Sequence, residues 1–204
     1  MSIEFLITAL IVVLAPGTGV VYTLATGLAQ GRMASVAAAF GCTLGIIPAI
    51  LASVFGLAAL FHTSALLFQT VKFAGVAYLL YLAWQTLRDR GTLRVSGEGT
   101  PRRSLFAIAR NGFLINILNP KLSVFFLAFL PQFVSPAAAS PILEMLAMSA
   151  VFMAMTFAVF VVYGQFSGLM RDRVLSSERA MVWMRRSVAL AFAGFGLKLA
   201  LSSR

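Results

Sequence analysis

The chain has 204 residues, of which 60% are hydrophobic and only 11% charged, and it carries a formal net charge of +10. A soluble domain of this size carries roughly twice that charged fraction. No hydrophilic stretch exceeds a couple of dozen residues, so a soluble catalytic domain is excluded. The apolar residues fall into blocks near the ~20 residues needed to span hydrocarbon, which describes a polytopic membrane protein.

The first span covers about 3–27. Its leading segment MSIEFLITAL has Glu4 where a cleavable signal needs positive charge, and its apolar run is too long for one, so it reads as a spanning helix. Pro16 lies about 13 residues into this span, roughly 20 Å along a helix. A mid-helix proline removes a backbone bond and clashes with the preceding turn. Gly17 and Gly19, flanking Thr18, weaken the helix further.

The second span covers about 35–60 and holds Cys42. As the single cysteine it cannot form an intrachain disulfide, and it reads as a small buried hydrophobe. The third span covers about 65–87, with Tyr78, Tyr81 and Trp84 read as packing residues or interfacial anchors. A basic loop over 88–110 follows.

The fourth span covers about 107–134 and contains ILNPKLSVFF. Asn119, Pro120 and Lys121 have no use on a lipid-facing helix. Lys121 is costly at that depth and must face protein or water. The fifth span covers about 142–168 and the sixth about 187–202. All six are expected to be helices, because lipid offers an open strand no partners.

The charge distribution argues against nucleic acid as a partner. Twelve of the thirteen arginines fall in the loops after spans 1, 3 and 5, with no polar platform of interleaved aromatics. With six spans these loops share one face, and the positive-inside rule makes it cytoplasmic. Both termini are then periplasmic, and the arginines are explained by topology and contact with the lipid bilayer.

The chain also repeats itself. LAPGTGVVYTLA (14–25) aligns with LNPKLSVFFLAF (118–129), and FAGVAYLL (73–80) with FAGFGLKL (192–199). Three spans is an odd number, so two such halves, about 1–90 and 105–204, enter the membrane from opposite faces. The expected fold is all-α and integral to the membrane: one domain of six transmembrane helices in a 3+3 inverted repeat, with helices 1 and 4 broken. Secondary transporters place substrate at breaks of this kind.

The polarity of a break is specific. Near Gly17–Gly19 and Lys121–Ser123 the second half-helix begins with free N–H groups, which suit a carboxylate. Near Val13–Ala15 and Asn116–Asn119 the first half ends with carbonyls, which suit an ammonium group. The expected substrate-binding set is therefore Pro16, Gly17, Thr18, Gly19, Asn116, Asn119, Pro120, Lys121 and Ser123, with Tyr22 within two turns of the first break. A small zwitterion matches both ends. No acidic side chain is expected near the midplane, so neutral amino acids are favoured over lysine or arginine.

APGTGVVYTLATGLAQGR, GCTLGI, FAGVAYLLYLAWQ and NPKLSVFFLAFLPQF resemble the LysE/RhtB family of bacterial amino-acid exporters along nearly the whole chain. The resemblance implies six helices and export of amino acids or their analogues across the inner membrane. It also implies coupling to the proton gradient and a homodimer. The family's first motif is commonly Pro-Gly-Pro followed by Asn or Asp; here it is Pro16-Gly17-Thr18-Gly19-Val20, with Thr18 supplying a hydroxyl.

No enzymatic signature competes. The chain has no paired carboxylates, no metal-ligand spacing and no phosphate-binding glycine loop, and no cofactor is expected. His62 lies at a span end. Proton antiport commonly uses a buried carboxylate or histidine; here Lys121 is the best titratable relay, and uniport is the alternative. The other readings are a non-transporting membrane subunit that docks a cytoplasmic partner through its basic loops, and an exporter of another small solute or a metal ion. A scaffold gains nothing from midplane polarity, and one cysteine with one histidine makes a poor soft-metal path.

Overall fold

A computed structural model describes residues 1–15, 17–61, 103–119, 122, 125–134, 140–170 and 177–201, with scattered positions between 73 and 88. The described residues are helical throughout, with no strand among them. The expected third span, His62 and Tyr78 fall largely or wholly outside this set.

Helix α1 (Ile3–Leu14) starts where the Ser2 hydroxyl accepts the Phe5 N–H at 3.2 Å, with Glu4 in the first turn. Both features satisfy the positive end of a helix. Helix α2 (Thr18–Gln30) follows after a break and makes an angle of 52° with α1. The expected first span is thus a bent pair.

Gly31 has φ 87°, the only positive φ among the described residues. It closes α2 and opens α3 (Arg32–Leu44) with no intervening loop. Only glycine adopts that backbone without strain. Helix α4 (Ile47–Phe61) continues from α3 through the turn at Gly45 and Ile46. The run Arg32–Gly56 is long and apolar enough to cross a membrane, as is α6 (Pro141–Gln165); the bent pair α1–α2 makes a third such unit among the described residues. Ser140 caps α6, and Pro141 occupies its first position, where the missing N–H costs nothing.

Helix α5 (Leu105–Ile117) is capped by Ser104. Beyond its end come a π-helical turn at Phe125–Phe129 and a 3-10 turn at Leu130–Phe133. Pro131 limits the π-turn. In a π-turn the N–H of residue 131 would serve the Phe126 carbonyl, and proline has none. The hydroxyl of buried Ser53, on α4, donates to that carbonyl instead. Among its described residues the expected fourth span thus comprises α5, the π-helical turn and the 3-10 turn.

Helix α7 (Ser167–Met170) extends the end of α6, and α8 (Glu178–Leu201) closes the chain. Helix α8 begins nine residues before the expected sixth span, because helix formation runs on into the polar segment that precedes the apolar stretch.

The molecule is organised around α3, which packs on α5, α6 and α2. Lipid tails are as apolar as a core, so close approach of small residues must hold membrane helices together. Gly41 on α3 lies directly on the backbone of Ala109. Gly112 on α5 lies on Ala38 and Cys42, where an added Cβ would come within 2.8 Å of the Ala38 carbonyl oxygen. A second cluster is aromatic. Phe125 stacks on Phe152 at 4.7 Å between centroids, and Phe126 meets Phe152 edge-on at 5.2 Å.

One end of the bundle is tied together by polar contacts. The Arg103 N–H donates to Gln30 Oε1 at 2.7 Å, and Gln165 Nε2 donates to the Arg32 carbonyl at 3.3 Å. The end of α2, the start of α3, the segment before α5 and the end of α6 therefore lie together.

Candidate functional site

The break between α1 and α2 follows from local chemistry. The residue before a proline is pushed to extended backbone, and Ala15 has φ −64° and ψ 122°. Gly17 is also extended, at φ −121° and ψ −173°, and no side chain caps the helix it starts. The first N–H groups of α2 therefore have no partner within their own helix and carry partial positive charge.

Helix α5 ends through a tightened turn. The Asn119 N–H donates to the Asn116 carbonyl at 3.1 Å, and the Leu122 N–H to the Asn119 carbonyl at 3.1 Å. On the other side of the break, Tyr163 of α6 donates its hydroxyl to the Leu14 carbonyl at 3.0 Å. The Ile11 carbonyl takes the Ala15 N–H at 3.1 Å. Of the carbonyls expected to be free at these ends, those of Leu14, Asn116 and Asn119 are engaged.

Between these ends lies a cavity of about 30 Å³. Its walls are Val12, Val13 and Ala15 at the end of α1, and Gly17, Gly19 and Val20 at the start of α2. Asn116, Asn119 and Leu122 contribute from α5 and the turns after it, and Phe152, Thr156 and Phe160 from one face of α6. None of these residues is ionisable. About 15 Å³ suffices for one water by this measure, so the space admits one or two non-hydrogen atoms.

Asn116 is only 3% exposed. Its Nδ2 donates to the Cys42 carbonyl at 2.7 Å. A carbonyl only accepts, so the nitrogen must be the atom on that side and the amide orientation is determined. Its Oδ1 is buried without a hydrogen-bond partner. It lies against Gly19: an added Cβ there would come 2.8 Å from Oδ1 and 2.9 Å from the Phe160 ring. Thr156 donates to the Phe152 carbonyl at 2.8 Å, so its hydroxyl oxygen keeps acceptor capacity.

Of the residues expected from the sequence, Gly17, Gly19, Asn116 and Asn119 are brought to this one cavity. Thr18 is exposed and outside the lining. Tyr22 is also outside it; its hydroxyl donates to the Ile108 carbonyl at 2.8 Å and fastens α2 to α5. Pro16, Pro120, Lys121 and Ser123 lie outside the described residues.

Sequence reasoning missed Phe152, Thr156 and Phe160. Their spacing of four puts them on one helical face, and a threonine within so apolar a span was the available signal. Among the described residues no group of three or more His, Cys, Asp or Glu forms a metal site.

The sequence profile of the LysE type translocators matches residues 10–203. The chain belongs to that family. This LysE type translocator is a transporter and not an enzyme. It is 38% identical over 134 residues to an uncharacterized membrane protein of Vibrio cholerae, a match covering 66% of this chain and 65% of that one. It is 36% identical over 135 residues to the homoserine/homoserine lactone efflux protein of Salmonella typhimurium, covering 65% and 64%. It is 26% identical over 199 residues to the leucine efflux protein of Klebsiella pneumoniae, covering 97% and 93%. The first two matches thus span less than two thirds of those relatives. No solved structure matches the translocator.

Proposed function

We propose that this translocator exports neutral amino acids, or close analogues, across the bacterial inner membrane. The observation that carries the reading is the break between α1 and α2, which turns an uncapped helix N-terminus onto a cavity with no acidic side chain among the described residues of its lining. The N–H end attracts a carboxylate. A substrate with a second ammonium group finds no acid there. The family membership and the efflux names of the relatives from Salmonella and Klebsiella support the direction of transport and the substrate class.

In this reading the chain has six spans in a 3+3 inverted repeat, whose second break lies at Asn119–Ser123. The basic end bearing Arg32 and Arg103 faces the cytoplasm, and both termini are periplasmic. Lys121 faces the substrate carboxylate and relays the proton of an antiport cycle. The working unit is a homodimer, as the family resemblance implies.

The test is efflux from proteoliposomes loaded with each of the standard amino acids and homoserine, with and without a proton gradient. Leucine or homoserine is expected to leave faster than lysine or arginine. Preferential efflux of lysine overturns the substrate class, and indifference to the gradient overturns antiport.

A further inference from the structure

We infer that Asn116 is the residue that recognises the amine end of the substrate, and that the Cys42 carbonyl is its positioning partner. The inference rests on the reading of the cavity as the substrate site and adds the orientation of the molecule within it.

Oδ1 of Asn116 lies in a residue 97% buried, at the edge of a cavity, and takes no hydrogen bond. Buried acceptors are nearly always paired, because leaving one unmade forfeits its hydration. A group held in that condition at a cavity wall is poised for a donor that arrives with the ligand. The other half of the amide is already committed: Nδ2 is held by Cys42 at 2.7 Å, so the side chain cannot turn to offer its nitrogen in place of its oxygen.

Of the other two polar side chains on the wall, Asn119 and Thr156, the threonine agrees. Thr156 spends its proton on the Phe152 carbonyl and presents only lone pairs. The side chains of Asn116 and Thr156 therefore select donors, and a carboxylate is repelled from this side. It is directed instead to the N–H end of α2, on the Gly17 side. A primary ammonium fits the space of about 30 Å³, which admits one or two non-hydrogen atoms. Gly19 keeps that space open, since a Cβ there would meet Oδ1 at 2.8 Å.

A neutral amide in place of a carboxylate has a consequence for selectivity. It stabilises an ammonium by a hydrogen bond to a charged group without adding net charge to the site. A zwitterion, whose own carboxylate balances the ammonium, is thereby preferred over a molecule of net charge +1.

The test is competition for bound radiolabelled leucine and, separately, homoserine on the purified full-length protein in detergent. The competitors are leucine, leucine methyl ester (carboxylate masked) and N-acetyl-leucine (amine masked). Leucine is expected to compete best, the ester next, and N-acetyl-leucine at least 10-fold more weakly than the ester. Asn116→Leu should weaken leucine about 10- to 100-fold, the loss of one charge-assisted bond, and leave N-acetyl-leucine unchanged. Asn116→Asp keeps the volume and adds a negative charge, and should shift preference from leucine toward its methyl ester; it serves where the leucine variant does not fold.

Wild-type-like competition by both variants overturns the inference while leaving the exporter reading intact. Equal competition by N-acetyl-leucine and the ester does the same. If neither probe binds and the proteoliposomes export no amino acid, the exporter reading fails, and this inference falls with it.

Discussion

The Ser53 hydroxyl donates to the Phe126 carbonyl, 73 residues away in sequence. It stands where Pro131 has no N–H to give. The irregular segment Phe125–Phe133 is therefore completed by a donor from α4, and the two elements are coupled through one bond.

Removing that donor should be costly. Ser53→Ala leaves a buried carbonyl unpaired and is expected to destabilise by about 1–3 kcal/mol. Pro131→Ala restores an N–H to the segment. The double variant should therefore melt higher than the sum of the single effects predicts, by a coupling of about 1 kcal/mol. Thermal unfolding in detergent measures all four proteins. Strict additivity would show that Ser53 and Pro131 do not share this carbonyl.

The α3–α5 contact makes a contrasting prediction about glycines. Gly41 lies on the backbone of Ala109, whereas a Cβ at Gly168 would meet nothing within 4 Å. Gly41→Ala must push two helices apart and should cost about 1–3 kcal/mol or more. Gly168→Ala should lie within about 0.5 kcal/mol of the parent. Equal melting temperatures for the two variants would contradict the packing described here.

Lys121 is tested by charge and by shape. Lys121→Met keeps the apolar stem and should insert normally, since a mid-membrane lysine costs about 2.5–3.5 kcal/mol on insertion scales. Efflux of leucine or homoserine should nevertheless fall at least 10-fold. Lys121→Arg should recover little of it, because a guanidinium is larger and stays protonated. Native efflux by Lys121→Met would reduce this lysine to a snorkelling residue.

Topology is open to direct measurement. Reporter fusions after residue 204 and within 91–100 are expected on opposite sides of the membrane, the loop fusion in the cytoplasm. A cytoplasmic fusion at residue 204 would mean that α8 does not cross.

The parts of this molecule legible in its sequence are those governed by local rules. Pro16 forbids continuation of α1, and the backbone at Ala15 and Gly17 obeys. The apolar blocks at 35–60 and 142–168 become the long helical runs of α3–α4 and α6. What local pattern does not encode is partnership across the bundle. Pro131 marks a carbonyl that loses its N–H partner near Phe125–Phe129, but the donor that replaces it, Ser53, is not written locally. Asn116 was readable as an amide at a helix end. That its nitrogen is held, leaving its oxygen bare, depends on a carbonyl of α3. The carbonyl of Leu14 is free by local rules alone, and Tyr163, at the far end of α6, engages it.

The cavity at the break has a kinetic meaning. A chamber with room for one or two atoms, closed in part by Phe152 and Phe160, cannot admit a whole amino acid while its walls stand still. In the proposed exporter each molecule that crosses parts those walls and lets them meet again behind it. Flux through such a device saturates, responds steeply to temperature and is accelerated by solute on the far side, as in a ferry and unlike a pipe. Idle copies are then harmless. On that proposal a cell can keep the protein in its membrane at all times without draining its ion gradients.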